Sequence, residues 1–149
     1  MDKYDEYKYF GEQTLHQSQR RQSFSQIYLT VNTGIFGITA LLVKDSGLHG
    51  WNLVLASLPL FVVGLLACTI WVIIIIRFKK IISWYYEQLR AMEKGIKGSY
   101  KFYTKEWESF SQKPKSSFSD LEATMPKIFI GLYLVYALGM TLAAKFGLL

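Results

Sequence analysis

One cysteine, three prolines and two histidines are spread over 149 residues, and each scarcity removes a class of explanation. Cys68 has no partner for an intrachain disulfide and lies in an apolar run, where a thiol packs as a small hydrophobe. His16 and His49 stand far apart, and no group of Cys, His, Asp and Glu has ligand spacing, so neither metal nor cofactor is expected. Serine and threonine are common but sit in no nucleophile motif, and a glycine-rich phosphate loop is missing. The chain does not read as an enzyme. Its start, Met1-Asp2-Lys3-Tyr4-Asp5-Glu6, is acidic and aromatic, unlike a secretory signal, and carries no lipidation motif.

The most informative absence is charge. Residues 22–43, between Arg21 and Lys44, include no Asp, Glu, Lys or Arg, and neither do residues 51–76. About twenty apolar residues cross a bilayer at roughly 1.5 Å of helix each. A third uncharged stretch, 128–144, is 17 residues long and reaches spanning length with the residues after Lys145, which can snorkel. What is present is basic and clustered: 15 of the 17 Lys and Arg residues fall within 1–21 and 77–127, and the net charge is +6. Basic loops stay in the cytosol. The expectation is an all-α membrane protein with three transmembrane helices and a cytosolic helical extension, N-terminus cytosolic and C-terminus external, assembling as a homo-oligomer.

The segments follow in order. Residues 1–22 read as a cytosolic amphipathic helix with Tyr4, Tyr7, Phe10 (or Gly11) and Leu15 at helical spacing and Gly11 as its weak point. Residues 23–43 form the first span and 51–76 the second, joined by a tight turn through Asp45, Gly47 and Gly50. The second helix keeps going past Arg77, with Phe78, Ile81, Tyr85, Leu89 and Met92 at helical spacing, and Gly95 is placed to end it. Residues 77–127 form a cytosolic helical region in which Tyr103, Trp107 and Phe110 share a face. Pro114 breaks it, and Ser119 with Glu122 fits a capping box before the third span, 128–149. A two-span arrangement, with this last segment lying on the membrane or in a bundle, is the alternative topology.

Three residue groups carry the functional expectations. Gln26, Thr30, Thr33 and Gly37 follow i, i+4, i+7, i+11 along the first span, with Asn32 nearby. Polar groups in lipid face protein or water, so this helix is expected to be interior, the stripe either hydrogen-bonding other helices or lining a pore between subunits. Arg20, Arg21, Arg77, Lys79 and Lys80 would gather at the cytosolic interface, against anionic lipid or an anionic signal such as a nucleotide or oligonucleotide. Trp84, Tyr85, Tyr103 and Trp107 suit either helix packing or base stacking on such a ligand, while duplex DNA binding is not expected.

Tyr9-Phe10-Gly11-Glu12-Gln13, Arg20-Arg21-Gln22, Tyr28-Leu29-Thr30-Val31-Asn32 and Tyr103-Thr104-Lys105-Glu106-Trp107-Glu108 resemble the RipA-type octameric bacterial membrane proteins, as does the apolar segment after Pro126. That resemblance implies a small protein of the bacterial cytoplasmic membrane that assembles as a homo-oligomer, and it brings no catalytic residues. A looser similarity is to small transmembrane effectors of anti-phage defence, which permeabilise the membrane when a cytosolic region is triggered. The functional expectation is a channel or pore-forming effector gated through its cytosolic helices. The alternative is a non-conducting structural or scaffolding membrane assembly.

Overall fold

The computed structural model describes residues 3–96, 100–111 and 118–147, with side chains at all of these except 110–111 and 118–121. The described residues form four helices: α1 Lys3–Asp45, α2 Trp51–Gly95, α3 Phe102–Ser111 and α4 Phe118–Lys145. Three of them, α1, α2 and residues 122–145 of α4, are long and apolar enough to cross a membrane. The amphipathic start and the first span are one uninterrupted helix, which passes through Gly11 without a break. Pro59 and Pro126 likewise lie inside continuous helices. Helix α2 includes Gly95, which lacks the positive φ of a C′ cap, unlike Gly47 and Gly50. Those two, at φ 63° and 57°, make the turn between α1 and α2, where the Leu48 amide donates to Ser46 Oγ at 3.2 Å. Phe118 is already helical, so the Ser119 expected as N-cap falls within α4. Its side chain, like that of Phe110, lies outside the described residues.

The chain divides into two compact units, one of residues 1–23 and 74–122, the other of 24–73 and 123–149. In the second unit the core joins Ile35, Leu53, Val54, Phe61, Cys68, Tyr133 and Met140. Most of these come from α2, so within this unit of the protomer α2 is the most enclosed of the three helices. Aromatic rings fill the space between helices, with Phe36 stacked on Tyr133 at 4.6 Å and Tyr28 on Trp71 at 6.0 Å. The Tyr133 ring lies so close to the α2 backbone that only a glycine fits at 64; a Cβ there would sit 2.7 Å from Tyr133 Cε1.

In the first unit Phe10 packs edge-on to Tyr85 at 5.8 Å, and Tyr86 to Tyr103 at 5.7 Å. The buried or half-buried positions of α2 recur at three- and four-residue spacing, at 75, 78, 82, 85 and 89 in this unit and at 54, 57, 61, 64, 68 and 71 in the second. This is the spacing of a coiled-coil seam. Ile82 therefore takes the place expected for Ile81, which is exposed. Helix α1 shows the same spacing of buried or half-buried positions, at 7, 11, 14, 18 and 21 in the first unit and at 25, 28, 32, 35, 39 and 42 in the second. Thr14 is buried on that seam, whereas Tyr4 and Leu15, expected on the packing face, are exposed.

Candidate functional site

Asn32 separates from the stripe it was grouped with. Gln26, Thr30, Thr33 and Gly37 line one exposed side of α1, while Asn32 points the opposite way and is fully buried. The reason is angular: at 100° per residue Asn32 lies far around the helix from Gln26, on the seam that meets α2. Its Nδ2 donates to the Tyr28 carbonyl at 2.8 Å. Its Oδ1 accepts from Cys68 Sγ at 3.1 Å and from the Tyr133 hydroxyl at 3.0 Å. One amide thus ties α1, α2 and α4 together, and Cys68 acts as a donor as well as a small hydrophobe. On the exposed stripe, the hydroxyls of Thr30 and Thr33 donate to the carbonyls of Gln26 and Leu29, at 3.0 and 2.8 Å. A Cβ built on Gly34 or Gly37 meets nothing within 4 Å, so the side of α1 carrying them is open in the protomer.

The first unit is built around Glu93, which belongs to none of the three residue groups that carry the functional expectations. Its carboxylate has no exposed surface. Oε1 accepts from the Tyr7 hydroxyl at 2.9 Å and the Tyr103 amide at 2.8 Å. Oε2 accepts from the Thr104 amide at 3.0 Å and the Thr104 hydroxyl at 2.7 Å. The two amides belong to the first turn of α3, where free N–H groups need acceptors. Lys101, before that turn, adopts φ 53° and has no acceptor in its side chain. Glu93 of α2 supplies the missing cap and places negative charge at the helix N-terminus. Desolvation opposes its ionisation, but the bonds from Thr104, Tyr103 and Tyr7 outweigh that and hold the carboxyl below its usual range. The same contact, with burial as the larger cause, pushes the Tyr7 phenol far above its ordinary value. The clue in the sequence is spacing: Glu93 follows Ile82 and Leu89 on the α2 repeat, an acid where an apolar residue belongs.

The basic and aromatic residues divide between two cavities of this unit. The first, about 330 Å³, is lined chiefly by Tyr86, Glu87, Arg90, Tyr103, Glu106 and Trp107. The Arg90 guanidinium sits 4.3 Å from the centre of the Trp107 ring. Burial raises the phenols of Tyr86 and Tyr103; for Tyr86, Glu106 adds to the effect and Arg21 opposes it. The second cavity, about 380 Å³, is bordered by Ile76, Lys79, Lys80 and Trp84, and it shares Ser83 and Glu87 with the first. Tyr85 lines neither, being packed on Phe10. Arg20 and Arg77 are exposed, whereas Arg21 is largely covered and paired with Glu122, Nε to Oε2 at 3.1 Å. Arg21 is therefore committed within the protomer and is not an open anion contact. No metal-ligand cluster occurs among the described residues.

Comparison with curated proteins and with solved structures gives no match. The resemblance of the YFGEQ and TKEWE segments extends much further along the chain. The pattern of the octameric membrane protein family (8xMP) matches residues 4–142, nearly the whole length. With three helices able to cross a membrane and a polar stripe left open on α1, the chain belongs to the octameric membrane protein family.

Proposed function

We propose that this chain is the repeating subunit of a bacterial inner-membrane channel, with the open stripe of α1 bordering a conducting path between subunits. The observation carrying this reading is that Gln26, Thr30, Thr33 and Gly37 are exposed on one side of a helix long enough to span. In hydrocarbon such a stripe needs protein or water against it, and a self-assembling family supplies both. With no charged side chain between Arg21 and Lys44, selectivity would come from amide and hydroxyl dipoles.

The basic segments favour a cytosolic location for the first unit, and Arg20, Arg77, Lys79 and Lys80 suit contact with anionic lipid. Gating through this unit, in defence or another response, is the finer part of the reading. If a nucleotide signal is the trigger, Lys79, Lys80 and Trp84 around the second cavity have the chemistry to meet it, two cations against the single carboxylate of Glu87. Helix α2 runs without interruption from 51 to 95, which suits a lever, and Ser83→Pro would break it.

A second reading rests on the satisfied hydroxyls of Thr30 and Thr33 and the open space at Gly34 and Gly37. These suit direct helix contact between neighbours in a non-conducting scaffold. Planar-bilayer recording of the purified oligomer decides. The channel reading expects discrete conductance that changes in Gln26→Glu; silence at every pH and ligand, with the centre sealed by lipid, leaves the scaffold.

A further inference from the structure

The cavity between α2 and α3 has a chemistry that neither conduction nor lipid anchoring uses. Glu87 and Arg90 of α2 line it together with Glu106 of α3, so its formal charge is negative in a chain of net charge +6. The guanidinium is already engaged on Trp107. Neither carboxylate has an ion-pair partner among the described residues. Apart from Ser83, the remaining wall is aromatic, with Tyr86 and Tyr103 edge to face. Carboxylates beside aromatic faces select cations, because the ring faces and the acids present the same sign of potential. The Arg90–Trp107 contact shows that one of these rings accepts a cation in the folded chain. A polyanion such as a nucleotide would meet two carboxylates and one occupied guanidinium.

Position along α2 decides where the ligand comes from. The apolar run ends at Ile76, and Ser83 and Arg90 follow by seven and fourteen residues. At about 1.5 Å per residue the cavity begins roughly 10 Å beyond that run and ends near 20 Å. The headgroup layer on each side of a bilayer is only about 5–8 Å deep. Lys79 and Lys80 lie within that depth, but Glu87, Arg90 and Trp107 do not. The volume of about 330 Å³ is at the small end for a ligand site.

We infer that this cavity binds a small, water-soluble organic ammonium ion, held by Glu87 and Glu106 against the Tyr86, Tyr103 and Trp107 rings. The inference is independent of whether the oligomer conducts. Calorimetric titration of the purified full-chain oligomer in an uncharged maltoside detergent tests it, with benzyltrimethylammonium as probe. Benzyl alcohol serves as the neutral aromatic control and AMP as the anionic one. The expected result is saturable binding of the ammonium, at least tenfold tighter than either control. Glu87→Gln combined with Glu106→Gln should weaken it at least tenfold, Trp107→Leu similarly, and Lys79→Gln with Lys80→Gln not at all. Oligomer size and thermal unfolding confirm that each variant is assembled, and Glu106→Gln alone, at an exposed position, provides the mildest case. Equal affinity for benzyl alcohol, tighter binding of AMP, no saturable binding, or unchanged affinity in the double glutamine variant would each overturn the inference. So would dissociation of the oligomer by the double variant, which would assign the carboxylates to a neighbouring subunit.

Discussion

Glu93 and Asn32 are both polar side chains with no exposed surface, and each joins three helices, yet they are built on opposite electrostatic terms. Glu93, in the first unit, is a carboxylate accepting four hydrogen bonds, two of them from the free N-terminal amides of α3. Asn32, in the second unit, is a neutral amide surrounded by the apolar core of three spanning helices, with a thiol and a phenol as its donors. A charge can be buried where a helix terminus and several donors replace water. Among spanning helices those donors are scarce, and a neutral amide connects helices at far lower cost. The same task, fixing helices in register, thus takes a different residue in each environment.

Exchanging the chemistry breaks the comparison most severely. Asn32→Asp is isosteric but places a carboxylate among apolar helices, at about 3 kcal/mol or more. The expected outcome is loss of assembled oligomer in mild detergent, read by size-exclusion chromatography. Glu93→Ala comes next. Removing a cap costs about 1 kcal/mol and hydrogen bonds to a charged group about 1.5–3 kcal/mol, so roughly 3 kcal/mol is expected. The loss should appear as release of α3, with faster tryptic cleavage at Lys101 and Lys105, while assembly of the second unit persists.

Titration sharpens the contrast further. The folded chain holds Glu93 below its usual range, so the unfolded chain takes up that proton first as pH falls. The stabilisation is complete above the ordinary glutamate value of about 4.3 and drains away as pH drops through the lower folded value. Tyr7 is raised, so above about pH 10 the unfolded chain ionises first and stability falls again. Thermal melts monitored across pH should show both arms in the parent, with the acid arm reduced in Glu93→Gln. Asn32 cannot titrate, and its smallest perturbation is Tyr133→Phe, which removes one donor. Interhelical hydrogen bonds in membranes average about 0.6 kcal/mol, so only a slight drop in the melting temperature of the oligomer is expected.

Uncharged stretches mark the three helices able to span, and glycine marks the α1–α2 turn, so both are legible in the sequence. The buried faces were much harder to read. On α1 the seam runs Tyr7, Gly11, Thr14, Ser18, Arg21, Ser25, Tyr28 and Asn32, mostly small or polar, while Ile27, Leu29 and Ile38 are exposed. Periodicity of apolar residues therefore points away from the seam. On α2 the apolar half is hydrophobic on every side, so Cys68 and Trp71 cannot be told from Ile70 and Ile73 by polarity. Beyond Arg77, Ile81 and Ile82 are adjacent and chemically identical, so only the packed structure shows that Ile82 is the buried one. The grouping of Asn32 with Gln26 followed residue type, and helix geometry divides them.

Composition and charge placement by themselves determine that three helices can span, where the basic segments lie, and where the chain turns. Those features follow from the cost of charge in hydrocarbon and the backbone freedom of glycine, both local properties of sequence. Which sides of the helices meet was decided only in the tertiary structure. Lipid is as apolar as leucine, so hydrophobicity cannot distinguish a buried face from a lipid-facing one. Shape and hydrogen bonding decide instead, through the Tyr133 ring fitted against Gly64, the Asn32 amide and the Glu93 carboxylate.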